Sequence, residues 1–169
     1  MKGRVNTMNM NSGFNNAHGT KLSPAEIVRE ILDFMAAAPE REYKVIIGSD
    51  SKQNGQGPAD FVTAIVIHRV GNGGRYFWRR IDAAKSYHTL RDRILEEVLL
   101  SLEVARELLS ALRVEHAPNF GFEIHVDIGE NGPTKTMLQE LVGMIRAMNF
   151  NVKTKPESYA ASKVADRHV

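Results

Sequence analysis

Apolar residues in this chain recur with a period near 3.6 in some stretches and near 2 in others, and the switches mark out its elements. Ile27, Ile31, Leu32 and Met35 stand at helical spacing. Ahead of them, Ser23-Pro24-Ala25-Glu26 puts Ser at the N-cap, Pro at the first helical position and Glu at the third, a capping box. The pattern predicts a helix over about 24–38, closed by Pro39. Tyr43-Lys44-Val45-Ile46-Ile47-Gly48-Ser49-Asp50 is a short apolar run that suits a buried central strand. Phe61 to Val70 and Arg75 to Ile81 predict two further strands. Gly71-Asn72-Gly73-Gly74 between them is a hairpin turn, because its residues tolerate positive φ.

The most regular pattern predicts a long helix from about Leu90 to Leu112, with a stripe of Leu90, Ile94, Leu95, Val98, Leu99, Leu102, Ala105, Leu109 and Leu112. Phe122 to Ile128 predicts a fourth strand, Thr134 to Met148 an amphipathic helix, and Phe150 to Lys155 a fifth strand that Pro156 breaks. Ser158 to His168 predicts a short last helix. Residues 1 to about 20 are rich in Asn, Gly and Met without any period, which predicts a flexible arm ahead of a single domain over 21–169. The order β-β-β-α-β-α-β-α after an N-terminal helix predicts an α/β fold: a five-stranded mixed sheet flanked by helices. Ligands of open α/β sheets sit beyond the carboxyl ends of the strands. Asp50 and Asp127 are both predicted there.

Composition narrows the classes. A chain of 169 residues with 43% hydrophobic and 25% charged residues can bury a core as one ordinary domain. No apolar run is long enough to span a bilayer, and the first residues lack a signal-peptide core. With no cysteine there is neither a disulfide framework nor a thiolate zinc site, which favours the cytoplasm. The formal charge of +2 sets up no overall field for a polyanion, so a nucleic-acid surface has to be a local patch.

Isolated carboxylates belong in water, so acids at the ends of buried elements need a reason. Asp50 closes the Val-Ile-Ile strand, or else caps a turn with Ser51. Asp127 shares a strand face with Glu123 and His125, or else starts an Asx-turn before Gly129. On the long helix Glu97 lies nearer the Leu stripe than Glu96, although Glu96 remains an alternative and both could be solvated. Asp166 rides the last helix near its C-terminus, a place that disfavours an acid unless a cation is close. Clustered carboxylates raise one another's pKa values unless a divalent cation offsets them, and Mg²⁺ and Mn²⁺ prefer oxygen ligands.

Three local motifs carry a resemblance. They are Ile47-Gly48-Ser49-Asp50-Ser51-Lys52, His125-Val126-Asp127-Ile128-Gly129, and Lys155-Pro156-Glu157-Ser158-Tyr159-Ala160-Ala161 with Val164-Ala165-Asp166 following. Over about residues 43–168 the chain resembles the ribonuclease H-like superfamily, and the motifs are similar to its bacterial YkuK-type members. In that superfamily four acids lie on strand one, the first long helix, the end of strand four and the terminal helix. Asp50, Glu97, Asp127 and Asp166 match those elements in order. The resemblance implies a nuclease using two Mg²⁺ or Mn²⁺ ions, with Asp50 bridging both, Glu97 and Asp127 holding one and Asp166 completing the other. It also implies a nucleic-acid partner, RNA or an RNA–DNA hybrid, and no membrane. Ser51, His125 and His168 are auxiliary candidates, and Lys52, Lys135, Lys155, Lys163 and Arg167 are candidate substrate contacts. Two other readings stand beside it: a non-catalytic nucleic-acid or metal-binding module, and a small ATP-binding protein of the same broad fold. That ATPase branch normally pairs two such domains, and this chain has room for one.

Overall fold

The computed structural model describes residues 13–82 and 85–169. Its elements in chain order are β1 (Phe14–Asn16), β2 (Lys21–Leu22), α1 (Pro24–Ala36), β3 (Tyr43–Gln53), β4 (Ala59–Arg69), β5 (Gly74–Asp82), α2 (Leu90–Val114), β6 (Gly121–His125), α3 (Leu138–Ala147) and β7 (Asn151–Lys153). A 3-10 turn (Lys135–Met137) precedes α3. A π-helical turn (Ala160–Ala165) and a 3-10 turn (Asp166–His168) end the chain. No helix among the described residues is long and apolar enough to cross a membrane.

The predicted mixed sheet is present, in the order β2-β1-β5-β4-β3-β6-β7. Its antiparallel meander β3-β4-β5 is followed by β6 and β7, which pair parallel to their neighbours after helical crossovers. The sheet has seven strands, not five. Of the additional two, β1 falls in the stretch predicted as a flexible arm and β2 just after it: β1 pairs with β5 through Asn15↔Trp78 and Asn16↔Phe77, and β2 pairs with β1. Phe14 is fully buried, with the Arg79 guanidinium 4.8 Å from its ring centre. One aromatic in a polar stretch shows no period, so its anchoring was invisible to pattern. Residues 1–12 of the arm lie outside the described residues.

Strand alternation gives the sheet two unlike faces. Val45, Ile47, Ile65, Ile67 and Phe77 join Ile27, Ile31 and Met35 of α1, Val98, Ala105, Leu108 and Leu112 of α2, and Leu141 and Ile145 of α3 in the main core. The opposite face is covered by the C-terminal turns, where Ala160, Val164 and Ala165 pack on Ile46, Val62, Ala64 and Val66. Helix α1 begins at the predicted capping box: Ser23 N–H donates to Glu26 Oε2 at 2.6 Å, and Glu26 N–H to Ser23 Oγ at 3.3 Å. Helix α2 buries Ile94, Val98, Leu102, Ala105 and Leu112 of its predicted stripe, but not the whole of it. Leu90 and Leu99 are exposed, while Leu100, Val104 and Leu108 are buried. Several elements touch this helix, so more than one of its faces is apolar.

Candidate active site

Strand β3 does not end at Asp50. It runs on to Gln53, antiparallel to β4, with Asp50 opposite Val62. What ends is its parallel pairing with β6, whose last partner pair is Gly48↔His125. Residues 49–53 therefore border a notch on the β6 side of the sheet. Beyond His125 the chain turns through Val126 and Asp127. Two backbone bonds hold this turn to the end of β7 and the residues just after it, Val126 N–H to Lys153 O at 2.9 Å and Lys155 N–H to Ile128 O at 2.8 Å. The Gly-Ser-Asp-Ser sequence thus delivers Asp50 beside the place where β6 stops, the carboxyl-end position predicted for a ligand.

Alternation sends Ser49 and Ser51 toward α2 and Asp50 to the opposite face. Ser51 Oγ donates a short hydrogen bond to Glu97 Oε1. Ser49 Oγ lies 2.7 Å from Ser101 Oγ and 2.8 Å from Thr63 Oγ1, all three side chains buried. Glu97 and Ser101 are one turn apart on α2, so two polar rungs tie this helix to β3. The alternation of small polar residues in β3 was the available signal for them. Glu97 is 6% exposed, whereas Glu96 is half-buried and its charge acts on Tyr87. Burial pushes the Glu97 carboxyl up to about 8. The charges of Asp50 and Asp127 add to the rise, against the Ser51 hydrogen bond and Arg93.

Asp50 is half-buried. Burial pushes its carboxyl up to about 7, aided by a hydrogen bond to Asp166 and by the charges of Asp166 and Asp127, and opposed by the Ser51 amide. Asp127 Oδ1 is buried and accepts no hydrogen bond, and Lys155 Nζ forms an ion pair with it at 3.5 Å. Asp166 is exposed. The sheet thus separates the carboxylates: Glu97 on the α2 side, Asp50 and Asp166 on the other, Asp127 at the notch and coupled to both Asp50 and Glu97. Among the described residues, no three His, Asp or Glu side chains are grouped tightly enough to hold one ion. The donor set nonetheless fits a hard divalent cation: it is all oxygen, one buried oxygen accepts no hydrogen bond, and two carboxyls have pKa values raised by burial and by neighbouring acids.

The auxiliary candidates divide. Ser51 bonds Glu97, as described. His125 is buried beneath the C-terminal turn: its Nδ1 accepts from Ala160 N–H at 3.2 Å, and its Nε2 lies 3.0 Å from Glu123 Oε2. Nδ1 as acceptor leaves the proton on Nε2. Burial lowers the pKa of the ring, against the pull of Glu123. His168 stacks on Trp78 with ring centres 4.1 Å apart and planes 6° apart. Lys52, Lys135, Lys163 and Arg167 are exposed. Strand β5, which carries Arg75, Arg79 and Arg80 with Tyr76 and Trp78, is largely engaged within the fold. Arg80 pairs with Asp60 and Asp82, Arg75 with Glu30, and Arg79 is buried.

A family model described as Ribonuclease H-like matches residues 26–169. The chain belongs to the ribonuclease H-like family. Within it, the chain is 29% identical over 164 residues to a Bacillus subtilis (strain 168) protein named "Uncharacterized protein YkuK", covering 91% of this chain and 95% of that one. The chain is thus an RNase H-like protein of the YkuK type, and membership associates it with nucleic-acid chemistry at the coarse level. The match includes β3, α2, the Asp127 turn and the C-terminal turns, the four parts of this RNase H-like fold that carry the acids.

Proposed function

We propose that this chain is a metal-dependent nuclease that hydrolyses phosphodiester bonds of RNA, an RNA–DNA hybrid or another structured nucleic acid. Asp50, Glu97, Asp127 and Asp166 would hold two Mg²⁺ or Mn²⁺ ions. The observation that carries this reading is a shortage of compensating positive charge among carboxylates that border the notch from both faces of the sheet. Asp50 and Glu97 have raised pKa values, and Asp127 has a buried oxygen without a donor. When bound, such ions activate water as nucleophile and stabilise the leaving oxygen. The protein's own side chains prepare the place. Ser51 orients Glu97, the Ser49–Ser101 contact fixes the helix that carries it, and Lys155 steadies Asp127. Lys52, Lys155, Lys163 and Arg167 are exposed and on segments near the acids, where they could meet backbone phosphates without reading sequence. His168 is stacked on Trp78, so holding its turn suits it better than shuttling a proton.

The test is cleavage of labelled single-stranded RNA, duplex DNA and RNA–DNA hybrid by wild type and Asp50→Asn, with Mg²⁺ or Mn²⁺ and with chelator. Wild type should cleave at least one substrate only with metal, and Asp50→Asn should lower the rate by orders of magnitude. Equal, metal-independent cleavage by both proteins, or none by either, would overturn the reading.

A further inference from the structure

On the sheet face opposite α2, Gly48, Ala64 and Trp78 are direct neighbours across β3, β4 and β5. Cross-strand partners project to the same side, so this row rises from no side chain through a methyl to an indole. The C-terminal turns follow the ramp. At its low end, a Cβ on Gly48 would lie 2.6 Å from Ala161 N and 2.8 Å from the Ala160 carbonyl carbon. In the middle, Val164 and Ala165 pack on Val62, Ala64 and Trp78. At the high end the His168 ring lies flat on Trp78, with Tyr76 5.8 Å away on centre-to-centre measure. The Nε2 atom of His168 is buried by this packing.

Asp166 sits between the buried Ala165 and the stacked His168, while its own side chain is exposed. A three-residue 3-10 turn has few backbone bonds of its own to hold it in place. The upstream flank is held by Gly48 and by the His125–Ala160 bond; the downstream flank is held by the indole.

We propose that Trp78, by stacking on His168, is a positioning residue for Asp166 and so sets how well the carboxylate site takes up a divalent cation. This rests on the reading of the four acids as a metal site.

Trp78 is the chain's single tryptophan, so its emission reports the stack in the unlabelled full-length protein. Half-saturating Mg²⁺ would be measured by the Mg²⁺-dependent rise in melting temperature for wild type, Trp78→Leu, Trp78→Phe, His168→Ala and Asp166→Asn. Trp78 emission would be followed in the variants that keep it. His168→Ala should alter the emission and raise half-saturating Mg²⁺ about tenfold, the usual scale for losing a group that orients a ligand. Trp78→Leu should do the same, while Trp78→Phe, which restores a flat ring, should recover much of the loss. Wild-type emission should respond to Mg²⁺ and that of Asp166→Asn should not. Unchanged half-saturation in both His168→Ala and Trp78→Leu would overturn the proposal, as would an equal loss in Trp78→Phe and Trp78→Leu. If wild type binds Mg²⁺ in this pattern yet cleaves no nucleic acid, the nuclease reading fails and the positioning role stands.

Discussion

Glu97 and Asp50 are carboxyls whose pKa values the fold raises. Burial and neighbouring acids raise Glu97 to about 8 and Asp50 to about 7, above the ordinary carboxylate range of the unfolded chain. Between about pH 5 and 8 the folded state binds more protons at these groups than the unfolded state, so their linkage makes stability fall as pH rises. His125 and His168 act in the other direction, because their pKa values are lowered. Comparison of wild type with Glu97→Gln separates the two. Melting in chelator should show the variant gaining on wild type as pH rises from about 5 to 8, since an amide never has to ionise. A pH-independent difference would mean that Glu97 is ionised in the folded protein. Sequence pattern put Glu97 nearer the core side of its helix than Glu96, and the Ser51 hydrogen bond distinguishes the two structurally.

At the scale of elements, the last turns are the informative part. They were expected as one short α-helix over Ser158–His168, but π-helical and 3-10 turns hold that stretch instead. Their backbone follows the surface of β3–β5, and the contact depends on the missing side chain at Gly48. Gly48→Ala would bring a methyl against backbone atoms that cannot rotate away. Urea unfolding should show a loss of about 1–3 kcal/mol, the usual cost of overpacking. Because the displaced turn carries Asp166, half-saturating Mg²⁺ should rise as well. A variant with wild-type stability would show that the turn lies farther from the strand.

At the scale of the whole molecule, the sheet is widened by residues that looked disordered. Phe14 is fully buried in the main core and lies against the buried Arg79. Replacing it with Ala removes a whole aromatic side chain from that core, at a cost of about 3–5 kcal/mol. Denaturant unfolding of Phe14→Ala should show a loss in this range. A loss under about 1 kcal/mol would mean that β1 frays in solution and contributes little to the core.

Periodicity by itself determined α1 with its capping box, the β3–β5 meander, the long α2 and the two crossovers, because each buries a face whose spacing is set by its own backbone. It also placed Asp50 and Asp127 near the carboxyl ends of neighbouring strands, since strand order follows from short connections. Tertiary structure decided what local spacing cannot carry. Asp50 lies within β3, and the notch beside it exists because β6 stops opposite Gly48. Ser49 and Ser51 face α2 while Asp50 faces the C-terminal turns, so the carboxylates divide across the sheet instead of meeting on one side. The binding of His168 to Trp78, ninety positions earlier in the chain, has no local signature, since its register is set through β4, a strand that contains neither residue.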